Sequence, residues 1–160
     1  MENAKNKLEM TLTSDTDFLL TRVLNAPREL VYKVYTDPQS VPQWWGPAAV
    51  TTIVDQMDVR PGGQWRYIQR DADGNEYAFR GEYREVTPPE RLVHTFEFEP
   101  MPGVVGLVTT TFEDLGAQTR IVETNSFPDK ASRDGIIESG MEEGAAELYD
   151  RLEALVMSML

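Results

Sequence analysis

Between Ala49 and Phe127 apolar and polar residues alternate with period two, and the alternation breaks only at short runs rich in Gly, Pro, Asp and Asn. A chain of this kind forms antiparallel strands joined by tight turns. VTTIVDQMDV is one strand, RPGG a turn and GQWRYIQR the next strand, and DADGN is a short hairpin signal leading into EYAFRGEYREV. TPPE turns into RLVHTFEFE, and GLVTTTFEDLG and TRIVETNSF form the last pair. From Pro128 to Leu160 the period becomes helical: Ile137, Met141, Ala145, Leu148, Leu152, Val156 and Met159 fall three or four apart, with acidic residues between. Such a stripe needs a sheet to lie on. The expectation is an α+β fold in which one long C-terminal helix covers a curved antiparallel sheet.

The N-terminal part supplies what precedes that sheet. TDFLLTRVLN, from Thr16, has the aliphatic and β-branched content of a strand, and Pro27 opens a helix, RELVYKVYT, whose Leu30, Val31, Val34 and Tyr35 share one side. Asp37-Pro38 stops it, and DPQSVPQWW can start a second short helix. The count is seven strands and two short helices before the long one. Residues 1–15 are polar and are expected to be a flexible tail, with 16–160 forming a single domain. No repeat or linker divides the chain.

Hairpin arithmetic assigns the faces. If Asp71 stands opposite Asn75, Tyr67 faces Phe79 and Trp65 faces Gly81, where the missing side chain leaves room for an indole. With TPPE as the next loop, Tyr83 pairs with His94, Gly81 with Phe96 and Phe79 with Phe98. One face thus gathers Trp65, Tyr67, Tyr77, Phe79, Tyr83, His94, Phe96 and Phe98. The other carries Arg66, Arg80, Glu82, Arg84, Thr95 and Glu97. The aromatic face is the one the helix should cover.

A helix on a curved sheet does not fill the whole concavity, so aromatic side chains at one end can line a pocket for a small apolar ligand. The adjacent Trp44 and Trp45 raise this question most directly. The ordinary reading is that they plug the sheet as core. Because neighbouring positions on a helix point about 100° apart, Trp45 is expected on a cavity mouth and Trp44 in the core. The cavity candidates are Trp45, Trp65, Tyr67, Phe79, Tyr83, His94, Phe96, Thr109 and Met141.

Four ordered runs carry a family resemblance: RVLNAPRELVY from Arg22, TDPQSVPQWWGP from Thr36, DVRPGGQWRY from Asp58 and FRGEYREVTPPERLV from Phe79, with MEEGAAELYDRLE from Met141 as a fifth. Together they resemble the bacterial family similar to the activator of heat-shock-protein-90 ATPase, in the START-like superfamily, over about Thr16 to Val156. The resemblance implies the helix-grip arrangement, with about six or seven strands around the C-terminal helix and two small helices after the first strand. It also implies a space between sheet and helix that relatives use for lipids, sterols, polyketides or other apolar molecules, and a few for cyclase or dehydratase chemistry. Relatives often carry tryptophan after the glycine of the last helix, where this chain has Ala145; its loss enlarges or reshapes the cavity.

Composition removes several functions. Lys plus Arg total 15 against 27 for Asp plus Glu, a net charge of -12 that repels phosphate backbones and anionic lipid headgroups. Neither nucleic acid nor membrane insertion is expected. No cysteine is present, so thiol chemistry and disulfides are absent and a cytoplasmic location is expected. His94 is the sole histidine, which argues against a zinc site; no metal or cofactor is expected. His94 reads first as a satisfied, semi-buried residue. Glu123 and Asn125 share a strand face, which the EDLGAQ turn leaves unassigned and which reads more readily as solvated surface. RPGG lacks the lysine and following helix of a phosphate loop, and DADGN is too short for calcium. No GxSxG elbow or triad order occurs, and no catalytic residue is assigned.

Three functions follow in order. The first is binding of a small apolar molecule in the cavity, by a monomer or homodimer. The second is a cyclase or dehydratase-like enzyme, which needs two titratable groups meeting inside, such as His94 with Glu123 or a tyrosine. The third is a chaperone cofactor, which rests on the family name alone.

Overall fold

In DFLLTRVL every second side chain is buried, the pattern of a strand with one face on a core. A computed structural model describes residues 6–160. It contains, in chain order, β1 (Glu9–Leu12), β2 (Asp17–Leu24), α1 (Arg28–Tyr35), α2 (Val41–Trp44), β3 (Thr51–Met57), β4 (Gln64–Arg70), β5 (Glu76–Thr87), β6 (Arg91–Phe98), β7 (Val105–Asp114), β8 (Thr119–Ser126), α3 (Lys130–Glu138) and α4 (Met141–Ser158). The strands form one antiparallel sheet in the order β1-β2-β8-β7-β6-β5-β4-β3. This is the helix-grip architecture expected of the chain, with one strand more.

The extra strand comes from the segment assigned to a tail. Residues 1–5 lie outside the described residues, but Glu9–Leu12 pairs with Phe18–Thr21 of β2. All four of its residues are exposed or half-buried, which is why no apolar alternation announces it. The second difference is at the C-terminus. The expected single helix is two, because Gly140 takes φ +87° between α3 and α4. That left-handed turn is open to glycine at little cost. The apolar stripe also stops at Val156: Met159 lies beyond α4 and is exposed.

The sheet registers match the hairpin arithmetic. Tyr67 faces Phe79 and Trp65 faces Gly81, and Phe79 faces Phe98 and Tyr83 faces His94 ahead of a bulge at Tyr83–Glu85. At Gly81 an added Cβ would sit 2.4 Å from the Trp65 indole nitrogen and 1.9 Å from the Thr95 carbonyl oxygen. The indole uses that gap to donate to Thr95 O at 3.2 Å. Arg66 bonds Glu99 and Asp55, and Arg80 bonds Glu97, on the opposite face. Tyr77 has the parity of the aromatic face but lies near the hairpin tip and stays exposed.

The main core lies where the C-terminal half of α4 meets the sheet. Tyr149, Leu152 and Val156 pack there with Leu24, Val31, Val34, Phe112 and Ile121. Arg22, on β2, is 3% exposed and pins α4 from below: Nη1 reaches Asp150 at 2.8 Å and Nη2 reaches Glu153 at 2.6 Å. The other Glu153 oxygen accepts from the Asn25 amide at 2.9 Å and from Asn6 Nδ2 at 2.6 Å. A smaller cluster of Phe18, Leu20 and Phe127 lies toward α3 and the start of α4. Between the two clusters the sheet and helix separate.

Candidate functional site

That separation is a cavity of about 570 Å³, inside the range of small-molecule sites. Trp45, Phe79, Phe96 and Phe98 form one wall; Phe18, Leu20, Val108 and Phe127 form the other. Ile136 of α3 and Met141, Gly144, Ala145 and Leu148 of α4 line the remaining side. Gly144 and Ala145 put almost no side chain where a larger residue would enter the space, which is what the missing tryptophan at Ala145 implies.

The loop after α2 positions the tryptophans. Pro42 sits in the first turn of α2, and Trp45 leaves the helix with ψ 118°. Gly46 follows at φ +88°. The two indoles therefore diverge. Trp44 is 2% exposed and packs on Tyr35 at 4.9 Å. Trp45 stands edge-on to Tyr67 and Phe79, each at 5.0 Å. Two bonds tie this loop to α4: Arg151 donates to Gly46 O at 2.6 Å, and Glu147 accepts from the Ala48 amide at 2.7 Å. Thr52 Oγ1 donates to Trp45 O at 2.7 Å and ties it to β3.

Glu123, Asn125 and Tyr149 form a hydrogen-bonded polar cluster on the cavity. Glu123 lies across from Leu20 on β2 and Thr110 on β7, and its side chain points inward. Its Oε1 accepts from the Tyr149 hydroxyl and its Oε2 from Asn125 Nδ2 at 3.1 Å. Burial pushes the Glu123 carboxyl above its ordinary value, against the lowering effect of those two donors. Burial, then the nearby Glu123 charge, raise the Tyr35 and Tyr149 hydroxyls. His94 also lines the cavity; burial lowers it to about 4, so it is a neutral imidazole. Its Nδ1 is buried without a protein partner, which differs from the satisfied residue read from the sequence. Among the described residues no three His, Cys, Asp or Glu side chains gather as a metal site would require. No helix of the described residues is long and apolar enough to cross a membrane.

The expected residues divide into three groups. Trp45, Phe79, His94, Phe96 and Met141 lie on the large cavity. Trp65, Tyr67 and Tyr83 are buried in the core around a void of about 50 Å³ that Trp45, His94 and Phe96 also line. Thr109 lies on neither. Val108, Thr110 and Phe112 are the buried, inward parity of β7, so Thr109 faces away, and Thr110 is the residue beside Glu123. Glu123 and Asn125, read as solvated, are inward. The signal for both was their parity with Ile121 and Phe127, an apolar alternation into which they insert two polar side chains. Tyr35 had been read only as a member of the first helix's apolar side, and Tyr149 had not been singled out.

A family model described as "Activator of Hsp90 ATPase homolog 1-like protein" matches residues 25–157. No curated protein matches the chain. Among solved structures, a protein from Mycobacterium smegmatis is 25% identical, with TM-score 0.83 over 92% of this chain and 94% of that one. One from Chromobacterium violaceum is 27% identical, with TM-score 0.76 over 89% and 98%. A Rhodobacter sphaeroides protein at 19% identity shares the fold, with TM-score 0.88 over 96% of this chain and 100% of that one.

Proposed function

The chain belongs to the activator of Hsp90 ATPase homolog 1-like family, with its START-like fold, and from that premise we propose that it binds a small hydrophobic molecule between the sheet and the C-terminal helix. The observation that carries the proposal is the cavity of about 570 Å³ with predominantly apolar and aromatic walls and one hydrogen-bonded polar cluster, Glu123 with Asn125 and Tyr149. Burying a ligand's apolar surface against those walls drives association, and the polar cluster orients it. Trp45, Phe79, Phe96 and Met141 serve as wall, with His94 as a neutral hydrogen-bonding group. In this reading the protein acts in the cytoplasm, as one domain, as a monomer or homodimer.

Acid–base chemistry of the cyclase or dehydratase kind has one observation in its favour. Glu123 and Tyr149, two titratable groups, are hydrogen-bonded inside the cavity. Binding alone uses the same residues without any reaction, and it is the simpler reading. The chaperone reading has only the family description behind it.

Nile red, a neutral apolar dye, tests the proposal. It should bind the intact protein and quench tryptophan emission. Ala145→Trp, which places an indole in the cavity, should abolish dye binding while circular dichroism stays native. Trp45→Ala should weaken binding more than it weakens folding. Unchanged dye affinity in a folded Ala145→Trp protein would place the dye elsewhere and remove the proposal's basis.

A further inference from the structure

Two largely buried carboxylates lie near α4, and their surroundings differ in one respect. Glu153 is met by the Arg22 guanidinium. Glu123 is met by the Tyr149 hydroxyl and the Asn125 amide, both neutral. Among the described residues Glu123 enters no ion pair, and no Lys or Arg lines the cavity. Both donors aim at carboxyl oxygens, one on each, which is how a site holds an anion. A buried anion without a counter-charge is strongly disfavoured.

Resting on the binding reading above, we infer that the cavity is built for a hydrophobic cation, an apolar body carrying an ammonium group that pairs with Glu123. The ammonium supplies the charge that Arg22 supplies to Glu153. It would also lie among aromatic rings, since Tyr35 and Tyr149 share the cavity with Glu123 and their faces attract cations. An anionic ligand would set two like charges together in a low-dielectric space, and a neutral one would leave the carboxylate unpaired. Burial raises the Glu123 carboxyl and so favours its neutral form in the free protein; an adjacent cation favours the ionised form and reverses that shift. The net charge of -12 draws cations toward the protein before they enter.

Isothermal titration of the intact protein at neutral pH with naphthylmethylamine, naphthylmethanol and naphthylacetate separates charge from shape. The amine should bind at least about tenfold more tightly than the alcohol, by the added charge-assisted bond, and the acetate weakest. Glu123→Gln should bring the amine down to the alcohol's affinity. An alcohol or acetate that binds as tightly as the amine would overturn the inference, as would an amine advantage that survives in Glu123→Gln. If that variant does not fold, the series on the unaltered protein decides alone. Failure of all three to bind would overturn the cavity reading and this inference with it. Binding without preference for the amine overturns the inference only.

Discussion

The two halves of α4 belong to one helix and one apolar stripe, yet they meet the sheet differently. From Tyr149 onward the helix is shut against it, with Tyr149, Leu152 and Val156 no more than 1% exposed. From Met141 to Leu148 no residue is buried, and the inward positions line the cavity. Residue size is the cause. Gly144 and Ala145 leave unfilled what Leu152 and Val156 fill. The acids follow the same division, since Glu153 has an internal cation and Glu123 has none. One half of the helix holds the fold together, and the other leaves a space whose contents the fold does not supply.

The largest effect that could break this comparison is on Arg22. Arg22→Ala strands Glu153 beneath the packed half and should lower unfolding stability by about 3–5 kcal/mol in urea titrations. A loss near zero would show that Glu153 is reached by solvent and that the two acids do not differ. Leu152→Ala comes next, with an expected loss of about 2–5 kcal/mol from transfer and cavity terms. Leu148→Ala, on the open half, removes contacts that are already incomplete and should cost about 1 kcal/mol. Equal losses at the two leucines would erase the distinction between the halves.

Smaller, pH-dependent effects sharpen the comparison on the cavity side. The His94 value falls on folding from 6.5 to about 4, so the folded state binds fewer protons in that window. Its contribution is complete above 6.5 and is lost as pH falls toward 4. Glu123 has the opposite sign: its folded value lies above 4.5, so its contribution is complete below 4.5 and is lost as pH rises through the raised value. Stability measured against pH should therefore diverge from His94→Phe as pH falls below 6.5 and from Glu123→Gln as pH rises above 4.5. Parallel curves for either variant would mean that the side chain is solvated.

Much of the architecture was legible because turns fix registers. DADGN set β4 against β5, and the pairings of Trp65, Tyr67, Phe79, Tyr83 and His94 followed. The two tryptophans were expected to diverge by the 100° step of a helix; instead Trp45 is the extended residue that ends α2, and both indoles touch the large cavity. The site was less legible, for physical reasons. In VTTTFED three consecutive threonines carry no polarity contrast, so only Val108 and Phe112 reveal that Thr110, not Thr109, faces inward. Glu123 and Asn125 look like surface because burying a polar pair is unfavourable unless a partner is present, and the partner, Tyr149, comes from a helix 26 residues away in sequence. β1 lacks alternation because it covers an edge rather than a core. The break at Gly140 depends on a backbone angle that helical periodicity does not encode.

The most direct test of the division is amide hydrogen exchange along α4, with and without saturating Nile red. Amides from Tyr149 to Val156 should be well protected in both states, and added protection on binding should be confined to the segment from Gly140 to Leu148 and to the loop around Trp45. Protection gained evenly along the helix, or only in its C-terminal half, would contradict an open cavity beside a closed core.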